Sequence, residues 1–238
     1  MDSVLVPFEL PDAEPLSQEL VDDLASVDVV LLGHYNLPEQ TPSSIAEEQF
    51  NEQARGELDE LAEQFRDAGA TVTTRLAFGK DRDAAIERVA IEESCVAELL
   101  PAETEGMSRI LVPIPDADIE RLPEFVRLVY DDMIQEITLF HVAENESRER
   151  GEKRLAKARD RLVEAGFAPD LVEGRLVEGS DHDSLIKDAA TEHDAVVMYE
   201  AESRLGDFVF GSLPTRIAKA TGDPVLVVRR DYEPRVRD

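Results

Sequence analysis

Two tandem α/β domains, each a doubly wound parallel sheet, are predicted by three observations. Short β-branched and apolar runs alternate with amphipathic helical stretches along the chain, the pattern of parallel strands covered by helices. The alternation occurs twice, with matching segments in the same order. The second copy alone ends in FGSLPTRIAKATGDPVLVVRR, a Gly-Ser turn, a short helix and an apolar strand.

The repeat is read from three matches. VLVPFELPDAEPL from Val4 answers ILVPIPDADIERL from Ile110, an offset of 106. RDAGATV around Gly69 answers VEAGFAP around Gly166, offset 97, and LAFGKDRDAAI around Gly79 answers LVEGSDHDSLI around Gly179, offset 100. These place the domains at residues 1–105 and 106–238, joined by the short polar link Pro101 to Ser108.

In the second domain strands are expected near 109–114, 136–143, 170–177, 195–199 and 224–229, and helices near 119–130, 146–165, 181–191 and 214–221. Leu155, Ala158, Leu162 and Ala165, spaced three and four apart, give the long helix its apolar face. Pro214 suits a first helical turn, where a missing N–H does no harm, and Gly222 suits the cap that ends the helix. The first domain repeats strand, helix, strand, long helix, strand, helix, strand. It lacks the last helix and strand, because SCVAELLPAETEGM runs directly into the second copy.

Composition excludes several classes of function. The chain carries 53 acidic against 25 basic residues, net -28, with only 5 lysines. Nucleic-acid contact needs clustered Lys and Arg, so this balance argues against it. The acids are spread over every expected helix, a pattern suited to concentrated salt, where screening over ~3 Å at 1 M removes self-repulsion. The single Cys95 allows no internal disulfide and reads as a buried small hydrophobe. The four histidines show no ligand spacing, so no metal is expected. No run reaches the ~20 apolar residues of a membrane helix, and no signal peptide is legible, so a cytoplasmic protein without membrane insertion is expected.

ILVPI, ITLFHVAE, EAGF, VEGS, DAVVMY and FGSLPTRIAKATGDPVLVVRR together resemble a tandem universal stress protein, of haloarchaeal type. The resemblance covers nearly all of the second half and most of the first. It implies a five-stranded Rossmann-like domain, dimers through the last strand and, in one branch of the family, an ATP site with no established reaction. FGSLPTRIA is similar in particular to the universal stress domains that accompany membrane transporters.

For ATP the resemblance implies an acid after the first strand and, after the fourth, Gly-x-x-Gly, nine residues, then Gly-Ser or Gly-Thr. Glycines let backbone N–H groups close on phosphates without a Cβ in the way. In the second domain Pro115 holds the acid's place, with Asp116 one step late; Tyr199 and Glu202 hold the glycine places, and the loop is one residue short. Gly211 and Ser212 remain, with Val142 where the base usually packs. The first domain has Glu9 at the acid's place but no phosphate loop. Arg204 could turn inward and neutralise one glutamate.

No catalytic residue is assigned. Ser212 has no base at a meaningful spacing and reads as a helix cap, His141 as a strand-end residue near the cleft, and Glu200 with Glu202 as a solvated loop. Gly33 to Phe50 reads as a flap at a strand's carboxyl end, with Ser43 or Ser44 capping the next helix. DPVLVVRR suggests a homodimer edge at Val225, Val227 and Val228. The expected function is stress-associated regulation by binding a protein partner, with a degenerate nucleotide site and no cofactor. The alternatives are an ATP sensor or weak hydrolase at the Gly211–Ser212 cleft, and a soluble regulator of a transporter.

Overall fold

A computed structural model describes residues 2–37, 43–115, 121–130, 133–144, 147–200 and 213–230, without the side chains of 43–48. The chain divides between Leu99 and Leu100 into two compact units. Unit 1 contains β1 (Ser3–Leu10), α1 (Gln18–Asp23), β2 (Asp28–Asn36), α2 (Ser43–Asp67), β3 (Val72–Gly79), α3 (Arg82–Glu92) and β4 (Cys95–Leu100). Its strands are ordered β3-β2-β1-β4 and pair in parallel.

Unit 2 contains β5 (Arg109–Pro113), α4 (Leu122–Tyr130), β6 (Glu136–Ala143), α5 (Arg148–Glu164), β7 (Val172–Glu178), α6 (His182–Ala190), β8 (Ala195–Tyr199), α7 (Leu213–Thr221) and β9 (Val225–Val228). The order is β9-β8-β5-β6-β7, again parallel. The expected α/β doubly wound class is what forms, including the helix and strand found only in the second copy. Strand β7 starts two residues late because Pro169–Leu171 forms a 3-10 turn.

The two units share matched local structure. Helices α2 and α5 end in the same way, with Gly69 at φ 104° and Gly166 at φ 109°. In each, the next residue's N–H reaches back, Ala70 to Phe65 O at 2.9 Å and Phe167 to Leu162 O at 3.1 Å. That left-handed stop needs glycine. Asp81 caps α3 through Ala84 N at 2.9 Å, and Asp181 caps α6 through Ser184 N at 3.1 Å. Arg75 pairs with Glu93 at 2.6 Å, and Arg175 with Glu192 at 2.8 Å.

In each unit one face of the strands is closed by short helices, α3 in unit 1 and α6 with α7 in unit 2. In unit 1, Leu5, Val30, Leu32 and Ala77 meet Ala85, Ile86 and Val89 of α3. In unit 2, Phe140, Val142 and Met198 meet Ile186 of α6 and Ile217 of α7. Burying such side chains fully contributes about 1.5–3 kcal/mol each relative to exposure. The opposite face packs on the long helix, where Gly151 lets α5 come close: an added Cβ would lie 2.7 Å from Leu176 Cδ1 and 3.3 Å from His141 Cδ2.

Candidate functional site

In unit 2 the chain leaves β5 toward β6 on one side and has β8 on the other. The crevice at the carboxyl ends of β5 and β8 is therefore the topological switch point, where open α/β sheets take ligands. Tyr199, the last residue of β8, stands at this end of the sheet. Its phenolic oxygen accepts a hydrogen bond from Arg121 N at 2.8 Å and another from Leu122 N. These are the first N–H groups of α4, the groups a helix leaves open for an anion.

The tyrosine is 8% exposed, and the Arg230 guanidinium lies 5.2 Å from its ring centroid, within cation–π range. Burial pushes the phenol above its ordinary range, outweighing the two backbone donors and Arg230. The group stays a neutral phenol at physiological pH, still able to donate its own proton. Glu200, next in the chain, is also buried, and its N–H donates to Val228 O at 2.9 Å.

Val142 is buried in the apolar cluster with Ile186, Met198 and Ile217. The Pro115 carbonyl accepts from Arg154 Nη1 at 3.3 Å. His141 is buried, with Nδ1 2.8 Å from Ile114 O, so it holds the end of β5 rather than facing solvent. Asp116, Glu202, Arg204, Gly211 and Ser212 lie outside the described residues, as does the middle of the Gly33–Phe50 segment. Arg216 of α7 pairs with Asp183, whose other neighbour is His182 Nδ1 at 3.5 Å. Burial raises the Asp183 carboxyl, but the bonds from Arg216 and His182 outweigh it and hold it below its ordinary value. Val225 belongs to unit 2's own core and Val227 packs against it, while Val228 is buried.

The register of unit 1 shows what occupies the corresponding places there. Pro7 pairs with Leu32 and Pro113 with Phe140, so Gly33 answers His141 and His34 answers Val142. Where unit 2 has His141 against Gly151 of the long helix, unit 1 has a glycine, Gly33, at the histidine's place. The space over Gly33 belongs to Leu10, whose Cδ1 would lie 2.6 Å from an added Cβ. His34 is 2% exposed, and neither ring nitrogen has a hydrogen-bond partner among the described residues. Burial and the nearby Arg82 charge lower its pKa, against Glu9 and Asp81. Glu9 stands mostly in solvent, 3.6 Å from Arg82 Nε.

Sequence reasoning marked Tyr199 as a residue in a glycine's place but missed that its oxygen caps α4. The signal was present: a bulky phenol at the end of a buried strand needs a partner for its oxygen. Among the described residues no group of three or more His, Cys, Asp or Glu could hold a metal ion. No helix among them is long and apolar enough to cross a membrane.

No protein-family model matches the chain, and no curated protein matches it. Solved structures do. A universal stress protein from Archaeoglobus fulgidus is 15% identical over 96% of this chain and 98% of its own, with a TM-score of 0.64. A Pseudomonas aeruginosa protein provisionally assigned as a universal stress protein is 17% identical over 96% and 93%, TM-score 0.55. A further Pseudomonas aeruginosa protein, of unknown function, is 18% identical over 96% and 92%, TM-score 0.52. At such identities the likeness is one of architecture, and both units together are covered: this chain has the fold of the universal stress proteins.

Proposed function

We propose that this protein is a stress-response regulator of the universal-stress type that acts by binding a protein partner, with its nucleotide crevice in unit 2 closed. The observation that carries the reading is the Tyr199 oxygen on the first N–H groups of α4. A ligand phosphate or ribose in that crevice must displace a satisfied, buried phenol and break two backbone hydrogen bonds, each net ~1 kcal/mol. The acidic composition supports a cytoplasmic setting in concentrated salt, and the repeated caps and ion pairs support a tandem origin. The test is thermal unfolding in molar salt with and without ATP, ADP and AMP. The midpoint is expected not to move; a saturable rise with any of them overturns the closed-crevice reading. Cross-linking in living cells is expected to recover one constant protein partner.

A further inference from the structure

Helix α5 breaks the charge pattern of the chain. It holds seven basic residues against four acidic ones, net +3, in a protein of net -28; the remainder is therefore -31. Its basic residues are ordered. Gly151, Leu155, Ala158 and Leu162 form the buried seam. Each position of a second row, Arg150, Arg154, Lys157 and Arg161, lies one residue before a seam residue. Rows spaced four, three and four run as one stripe along a helix, here about 16 Å long at 1.5 Å per residue.

Helix α2 shows what the fold itself requires of that stripe. With the offset of 97 that joins Gly69 to Gly166, the seam of α5 answers Ala54, Leu58, Leu61 and Phe65, all buried. The stripe answers Gln53, Glu57, Glu60 and Gln64. Exposure also matches, with Gln53, Glu60, Arg150 and Lys157 exposed and Glu57, Gln64, Arg154 and Arg161 half-buried. Packing has been kept while the flank has changed from acid and amide to wholly basic. The solvated face of α2 is acidic, with eight acids against two bases; the short helix α7 also carries only bases, Arg216 and Lys219, but without a row of four.

We infer that the Arg150–Arg154–Lys157–Arg161 stripe is the docking surface for an acidic helical segment of a partner protein. This rests on the partner-binding reading and names the surface for it. A partner helix with carboxylates at the same four-three-four spacing sets one acid against each cation, and charge-assisted hydrogen bonds at contact survive salt that screens longer-range attraction. Duplex nucleic acid or an anionic membrane spreads negative charge well beyond 16 Å and meets the -31 of the remaining chain. The α2 helix of a second copy offers only Glu57 and Glu60 on its matching flank.

The test uses a short fluorescent alanine-based helical peptide with Glu at those four positions, and a twin with Gln instead, titrated with the whole protein by anisotropy. The Glu peptide is expected to bind at least roughly tenfold tighter than the Gln peptide, a difference of about 1.4 kcal/mol. Exchanging the stripe for that of α2 (Arg150→Gln, Arg154→Glu, Lys157→Glu, Arg161→Gln) is expected to abolish the preference. A second variant, Arg150→Gln with Lys157→Glu, spares the Arg154 bond to Pro115 and should lose most of it with unchanged circular dichroism. Equal binding of the two peptides, an unaltered preference in the folded second variant, or equally tight binding of duplex DNA or anionic vesicles overturns the inference. So does self-association of the natural protein that the second variant loses, since the occupant is then another copy. ATP titration is separate, so failure here leaves the closed crevice standing and failure there leaves the stripe standing.

Discussion

The phenolic oxygen of Tyr199 lies 2.8 Å from the backbone nitrogen of Arg121, so a side chain from the end of β8 closes the start of α4. Tyr199→Phe keeps the ring and removes the acceptor. It is expected to destabilise the protein by about 1–2 kcal/mol, because buried N–H groups lose their partner, as measured by denaturant unfolding at fixed high salt. The folded pKa is raised, so the phenol's contribution is complete below the ordinary tyrosine range and is lost as pH rises through the folded value. The difference between natural protein and variant should shrink in alkali.

ATP is expected to bind more weakly than millimolar, less than about 4 kcal/mol, in calorimetry with magnesium and molar salt. Tyr199→Gly opens the crevice and frees two N–H groups, but leaves Glu202 and the shortened loop. It should not by itself create a site. A tight isotherm for the natural protein would contradict the closed crevice.

His34 makes the first unit sensitive to acid. Burial and Arg82 lower its pKa, so the neutral ring is favoured in the fold. Stability is unaffected above the ordinary histidine value and falls as pH drops from there toward the lowered folded value. His34→Val installs the residue found at the matching place in unit 2. Its thermal midpoint is expected to decline less between pH 7 and pH 5 than that of the natural protein, and parallel declines would refute the assignment.

Salt should set the stability of the whole chain. With net -28, screening weakens as salt is removed and carboxylates on neighbouring helices repel. The unfolding midpoint is expected to fall steadily from molar salt to dilute buffer, and an unchanged midpoint counts against salt adaptation.

Two helical glycines should respond oppositely to alanine. Nothing lies within 4 Å of a Cβ added at Gly56, so Gly56→Ala should stabilise by about 0.8–1 kcal/mol through helix propensity alone. At Gly151 the new methyl meets Leu176 and His141, and overpacking of about 1–3 kcal/mol exceeds that gain. Denaturant midpoints at constant salt separate the two.

Much of the fold is legible in the sequence because it depends on local periodicity. The alternation of strands and helices in both units, the Gly222 stop of α7 at φ 77° and the helix and strand present only in unit 2 each follow from spacing that a helix or strand imposes on its own residues. The candidate site was only half legible. Spacing marks Tyr199 as standing where the resemblance expects a glycine, but does not show that its oxygen takes a backbone N–H 78 residues away.

The chain by itself determined the α/β class, the order of strands and helices in each unit and the acidity, since all are written in neighbouring residues or in totals. Tertiary structure decided which strand faces which. That register matched His34 with Val142 and Gly33 with His141, and the packing of unit 2 brought the end of β8 against the start of α4. Such relations depend on strand pairing and helix packing between distant segments, and no local pattern encodes them because a shift of one residue reverses the face of every side chain.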